Sequence, residues 1–199
     1  MSEDPAERAV GTDVGYRRGD PLQVVAIGVA SGLLFAVGLL VTEAPGELAL
    51  DVDLKPFFVP YLLVAAFRYG MPTLSAGLGA AVGEGVLDLT EGYELDDPLG
   101  FIGYVVGFTL FGWYLHRVAA DPGRTRAQLI AAVLGAFGQA AFEGVAFLLF
   151  ASGSSPGAAL VSVVGNTVSH GVLLGWVPLA LLYRPVADHL HNDGGAEAD

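Results

Sequence analysis

Cysteine is absent from the 199 residues, which removes disulfides, thiolate metal sites and cysteine nucleophiles from the available chemistry. Charge is scarce as well: charged residues make up 15% of the chain, and the 9 Lys and Arg are outnumbered by 21 Asp and Glu. No basic patch exists for nucleic acid. Also missing are a GxxxxGK[ST] phosphate loop, HExxH, GxSxG and an aspartate-rich lipid-transferase signature. Neither ATP hydrolysis nor a familiar hydrolase is encoded.

Apolar residues and glycine are what the chain has in quantity. Hydrophobic residues reach 53% with 28 Gly, and the mean hydropathy of +0.58 is that of an integral membrane protein. The formal charge of −12 is confined to short clusters between long apolar runs, so patterning outweighs the total. The first 20 residues are polar and acidic, unlike a cleavable signal, and the run Pro21 to Thr42 is long enough to be retained as a helix. Further spans are expected at Phe57 to Tyr69, Pro72 to Thr90, Leu99 to Val118, Ala127 to Ala151 and Gly157 to Tyr183. The expectation is an all-α, multi-pass membrane protein of six transmembrane helices, occupying residues 21–184. The second span is short, with Pro56 and Pro60 at its start. Residues 1–20 read as an acidic cytoplasmic tail and 185–199 as a disordered one.

Cations set the expected orientation. With six spans, Arg8, Arg17, Arg18, Arg68, Arg117, Arg124, Arg126 and Arg184 share one side and Lys55 stands alone opposite. Both termini are therefore expected in the cytoplasm, with the protein in the plasma membrane. The opposite loops hold Glu43, Glu47, Asp51, Asp53, Glu91, Glu94, Asp96 and Asp97. Three acids remain inside the bilayer: Glu84, Asp88 and Glu143. At about 1.5 Å of rise per residue, all three fall in the outer half of a hydrocarbon core of roughly 30 Å.

The polar residues of the spans come in pairs four apart, which places each pair on one helix face: Glu84 with Asp88, Gln139 with Glu143, and Asn166 with His170. A charged group facing lipid costs at least ~2.5 kcal/mol, so these stripes should face one another or a wet cavity. The bland counterpart is helix-to-helix glue through polar hydrogen bonds. Glycines and alanines repeat at the same spacing: Ser75, Gly79 and Gly83; Gly103 and Gly107; Gly28 and Gly32; and Ala26 and Ala30 beside them. Such ridges allow close backbone approach, and the last one equally suits a partner protein. Glu143 and His170 lack a third ligand at their depth, since His116, His189 and His191 fall at the cytoplasmic side, so no metal and no cofactor are expected. Tyr93, Tyr104, Phe147 and Trp176 can stack on a planar ring or serve as belt residues.

The block FFVPYLLVAAFRYGMPTLSAGLGAAVGEGVLDLTEGYELDDPLGFIGYVVGFTLFGWYLHRV, residues 57–118, resembles the substrate-binding (S) components of energy-coupling-factor vitamin transporters. The likeness lies in a short second span, a Gly-rich third span closing on the acid Asp88, and a Gly-rich fourth. The turn from Arg68 to Pro72 is one residue longer than the Phe–Gly–Pro usual there. The resemblance implies a transport subunit rather than an enzyme, binding a vitamin-like small molecule from outside. Its partners would be a transmembrane scaffold protein and cytoplasmic ATPases. Substrate would meet Glu84, Asp88, Tyr104, Gln139, Glu143, Asn166 and His170, with the acids favouring a cationic ligand. Ala26 and Ala30, with Gly32 beside them, match the Ala-x-x-x-Ala pattern that contacts the scaffold. A small intramembrane enzyme acting on lipid or peptide, or a ligand-free accessory membrane protein, is the alternative.

Overall fold

The structure, a computed structural model, describes residues 20–42, 53–92 and 97–193. The acids Glu43, Glu47, Asp51, Glu94 and Asp96, the aromatic Tyr93, and residues 1–19 and 194–199 of the expected tails lie outside the described residues. Regular structure among the described residues is helical throughout: α1 is Pro21–Thr42, α2 Phe58–Ala66, α3 Met71–Glu91, α4 Asp97–Trp113, α5 Thr125–Phe150, α6 Pro156–Val168 and α7 Val177–Asp193. A π-helical turn, Tyr114–Val118, extends α4, and another, Ser169–Trp176, joins α6 to α7 in one continuous rod. Four stretches are long and apolar enough to cross a membrane: Pro21–Thr42, Asp97–Val118, Thr125–Phe150 and Pro156–His189. That marks a membrane protein. The exposed faces agree, since large apolar side chains such as Leu33, Val37, Leu149 and Leu181 point out of the bundle.

Local chemistry starts and stops these helices. Asp20 caps α1 by accepting from the Leu22 amide at 3.0 Å, and Ser155 caps α6 by accepting from Ala158 at 3.2 Å; each is followed by a proline at the first helical position. Gly70 and Gly92, at φ 127° and 125°, bracket α3 in a backbone conformation that side chains rarely adopt. The C-terminal stretch expected to be disordered from 185 is instead helical as far as Asp193. Pro185 sits inside that helix; it removes one backbone bond without preventing helix on either side of it.

Two glycine seams join the bundle. Along the first, α1 lies against α3 so closely that a Cβ on Gly32 would stand 2.8 Å from the Gly79 carbonyl oxygen. One on Gly79 or Gly83 would collide with the carbonyls of Gly28 or Gly32. Hydroxyls stitch the same seam, with Ser75 donating to the Val24 carbonyl at 2.6 Å and Ser31 to that of Ala76 at 2.7 Å. In the second, α4 meets α5, where a Cβ on Gly107 would be 2.5 Å from the Gly135 carbonyl. Lipid supplies no hydrophobic drive to helix pairing, so close contact of small residues must supply the attraction. Gly32 therefore takes part in the internal α1–α3 contact. Ala26, by contrast, is exposed, and Ala30 is half-buried.

Between the seams sits an aromatic core built around short α2. Phe35, Phe57, Tyr61, Tyr104, Phe108 and Phe111 are all buried. The Tyr61 ring stacks on Phe111 with centroids 4.1 Å apart, and its hydroxyl donates to the Ala132 carbonyl at 2.9 Å. At 9 residues, α2 covers only ~13 Å along its axis. Residues 53–56 are non-helical and continue its path toward the acid-rich end of the bundle.

The seam makes a testable distinction between two glycines of one helix. Gly79→Ala should destabilise the protein by about 1–3 kcal/mol because backbone must shift to admit the methyl. Gly85→Ala, which meets nothing within 4 Å, should be neutral or slightly stabilising. Thermal unfolding of both variants in detergent decides it, and equal stability would break the account of the seam.

Candidate functional site

Every long apolar run next to a buried charge must answer the same question: what pairs with it? Here the answer is Lys55, on the non-helical run 53–56. Its ammonium lies 2.8 Å from Glu84 Oε1 on α3, 2.8 Å from Glu143 Oε1 on α5 and 3.3 Å from Asp53 Oδ2. Three ammonium protons thus meet three carboxylates drawn from three segments of the chain. The Tyr104 ring lies 5.6 Å from the same nitrogen and offers it a π face. Only 8% of the Lys55 side chain is exposed, so the ion group is shielded from bulk solvent and leaving one of its charges unpaired costs far more than at a surface.

A second layer fixes the segment that carries Lys55. Asn166 Nδ2 donates to Glu143 Oε2 at 3.2 Å, and its Oδ1 accepts from the Asp53 amide at 3.0 Å. His170 Nε2 donates to the Asp53 carbonyl at 3.2 Å, which sets the imidazole tautomer, because a carbonyl only accepts. The imidazole also stacks on Phe57, with centroids 4.6 Å apart. Non-helical backbone deep in a helical bundle needs its polar groups satisfied by protein. Asn166 and His170 do that for Asp53. The π-helical turn that begins at Ser169 carries His170 and brings its backbone against Gly175, a local irregularity of the kind common at functional sites.

Above this ion group opens a cavity of about 720 Å³ at the acid-rich end of α3, α4 and α5. Asp53, Lys55, Glu84 and Glu143 form part of its wall, Asp88 and Asp97 stand around them, and Phe101, Phe147 and Phe150 line it as well. Beneath lie buried polar atoms without a hydrogen-bond partner among the described residues, including both amide atoms of Gln139 and His170 Nδ1.

Of the residues singled out in the sequence, Glu84 and Glu143 share one lysine, and Asn166 bonds to Glu143. Asp88 joins them on the cavity wall. His170 reaches the cluster only through the backbone of Asp53, and Tyr104 and Gln139 are sealed below. Trp176 lies apart, donating to the Thr125 carbonyl at 3.2 Å. Lys55 and Asp53 were not among the expected site residues. Their signal is the cation of LKPFF, one charge between leucine, proline and two phenylalanines on the side otherwise rich in acids. Such a cation is expensive unless it has a buried partner. No family model, curated protein or solved structure matches the chain.

Removing one partner of a buried ion group strands the others. Lys55→Met should cost about 3–5 kcal/mol, and pairing it with Glu143→Gln should lose less than the sum of the single changes. Chemical denaturation of the single and double variants measures both. Additive losses would show that the 2.8 Å contact carries no coupling.

Proposed function

We propose that this chain is the membrane-embedded binding subunit of an importer for a small vitamin-like molecule, akin to the S components that residues 57–118 resemble. The observation that carries the reading is the cavity of about 720 Å³, which opens at the acid-rich end and whose wall is the Lys55 ion group. Its volume is in the range that encloses a small organic ligand, and it combines a few fixed polar groups with aromatic wall. Tight seams on either side make such a cavity pre-formed, which favours binding over a reaction that needs moving parts.

The proposal includes a six-pass topology in the plasma membrane with both termini in the cytoplasm. Arg68, Arg117, Arg124, Arg126 and Arg184 gather at the end opposite the cavity, and a cytoplasmic excess of arginine is the usual orientation signal. Residues 53–56 with α2 would make the second pass, and α3 the third. On this reading the cavity faces outward and ligand enters from outside. With no nucleotide motif in the chain, energy comes from partners: a transmembrane scaffold protein and cytoplasmic ATPases. The exposed face around Ala26 and Ala30 on α1 is where the scaffold would sit.

Two measurements test this. In intact cells, a membrane-impermeant thiol reagent should label Ser152→Cys and leave Asp121→Cys unmodified; the reverse pattern overturns the orientation. Mass spectrometry of the purified protein should find a bound small molecule that is lost in Gly85→Phe, whose ring has open space at Cβ and enters the cavity wall. Retention of the molecule in a folded Gly85→Phe variant would place the binding elsewhere and end the proposal.

A further inference from the structure

Charge is sorted along the bundle. Acids line the cavity end, whereas the arginines whose side chains are described, Arg68, Arg117, Arg124, Arg126 and Arg184, stand at the other end and are all exposed. Contacts gather them into one surface. The Arg117 guanidinium lies 5.5 Å from the centre of the Tyr69 ring, next to Arg68. Tyr183, beside Arg184, approaches Gly123, and Trp176 donates to the carbonyl of Thr125, which stands between Arg124 and Arg126.

These guanidiniums have no ionic role in the fold. The chain holds 21 acids against 9 basic residues, yet among the described residues no arginine forms an ion pair. Asp20 and Asp121 share this end but accept from the amides of Leu22 and Gly123. Planar forks that match phosphate oxygens two at a time are thus left facing outward. Depth decides where the phosphate comes from. Asp97–Val118 and Thr125–Phe150 are both long and apolar enough to cross a membrane, and Arg117, Arg124 and Arg126 sit where the first stops and the second starts. Arg184 comes 28 residues after Pro156, about 42 Å along a helix, which is close to the roughly 40–45 Å of a bilayer with its headgroups. Trp113, 46% exposed, precedes Arg117 by one turn, the order in which aromatic belt and headgroup follow each other.

We propose that this arginine surface binds the headgroups of anionic phospholipids, whose phosphates bridge the turn after α2, the end of α4, the start of α5 and α7. The proposal needs only the membrane character of the fold. It is independent of the binding-subunit reading and of which side of the membrane the arginines face.

The test reconstitutes the full chain in mixtures of phosphatidylglycerol and phosphatidylcholine, with brominated acyl chains on one lipid or the other. Both of its 2 tryptophans, Trp113 and Trp176, lie at this surface, so quenching of their fluorescence reports the lipid bound there. Phosphatidylglycerol should be preferred about tenfold or more. Raising salt from about 0.1 M to about 1 M, which shortens the screening length from roughly 10 Å to roughly 3 Å, should remove most of that preference. Arg124→Gln combined with Arg126→Gln should lower it at least about fivefold, the effect of one arginine at an anionic surface. Thermal unfolding of the same variant in phosphatidylcholine should match wild type, because neither guanidinium is paired in the fold. Equal quenching by the two lipids, or a preference that survives high salt or the double substitution, overturns the proposal; the salt measurement needs wild type alone and decides it even for a variant that does not fold. Loss of the preference on adding free glycerol phosphate would assign the surface to soluble phosphates, and equal quenching together with binding of polyglutamate would assign it to an acidic protein. Either result overturns the lipid assignment and leaves the binding-subunit reading untouched.

Discussion

A single ammonium in a low-dielectric bundle cannot stand unpaired, and much of this molecule is arranged around that constraint. Lys55 draws Glu84 from α3, Glu143 from α5 and Asp53 from its own segment to one point, so that each carboxylate, itself costly at this depth, is compensated by the same charge. Once the lysine is fixed, the chain that carries it has to run non-helically into the bundle. That path exposes backbone groups, which Asn166 and His170 satisfy. One cation thus links three helices and one irregular segment into a common polar layer.

Such a layer needs helices close enough to share it, and the glycine seams provide that closeness. With α1 against α3 and α4 against α5 at backbone contact, the remaining space fills with the rings of Phe57, Tyr61, Phe108 and Phe111. The aromatic core gives short α2 an anchor that length alone does not. The two devices divide the labour along the bundle: shape complementarity through the middle, charge complementarity toward the acid-rich end. Between α3, α4 and α5 at that end the packing stops, and the cavity is the space left over. Its chemistry is inherited from the ion group, which is why a binding role is argued from the same residues that stabilise the fold.

Much of this was legible in the chain before folding was considered. Helical periodicity and apolar runs located α1, α3, α4, α5 and the start of the long rod at Pro156 within a few residues, because long hydrophobic segments can satisfy their backbone in a membrane only as helices. Spacing of four placed Glu84 with Asp88, Gln139 with Glu143 and Asn166 with His170 on common faces, since that arithmetic is local. The small-residue ridges are equally visible in the sequence, though not what they pack against: Gly32, beside the Ala26–Ala30 ridge, lies against Gly79.

What the sequence by itself determined is therefore helix content, membrane character, and which helix faces are polar or small, all properties set within a few residues of one another. Tertiary structure alone decided that Lys55 meets Glu84 and Glu143, 29 and 88 residues away in the sequence, and that residues 53–56 run beside the acids without helix. It also decided that the rod bends its hydrogen bonding into a π turn at Ser169 and continues to Asp193. The physical reason is that an ion pair has no sequence period: its energy depends on distance and local dielectric, and both exist only after the helices have packed.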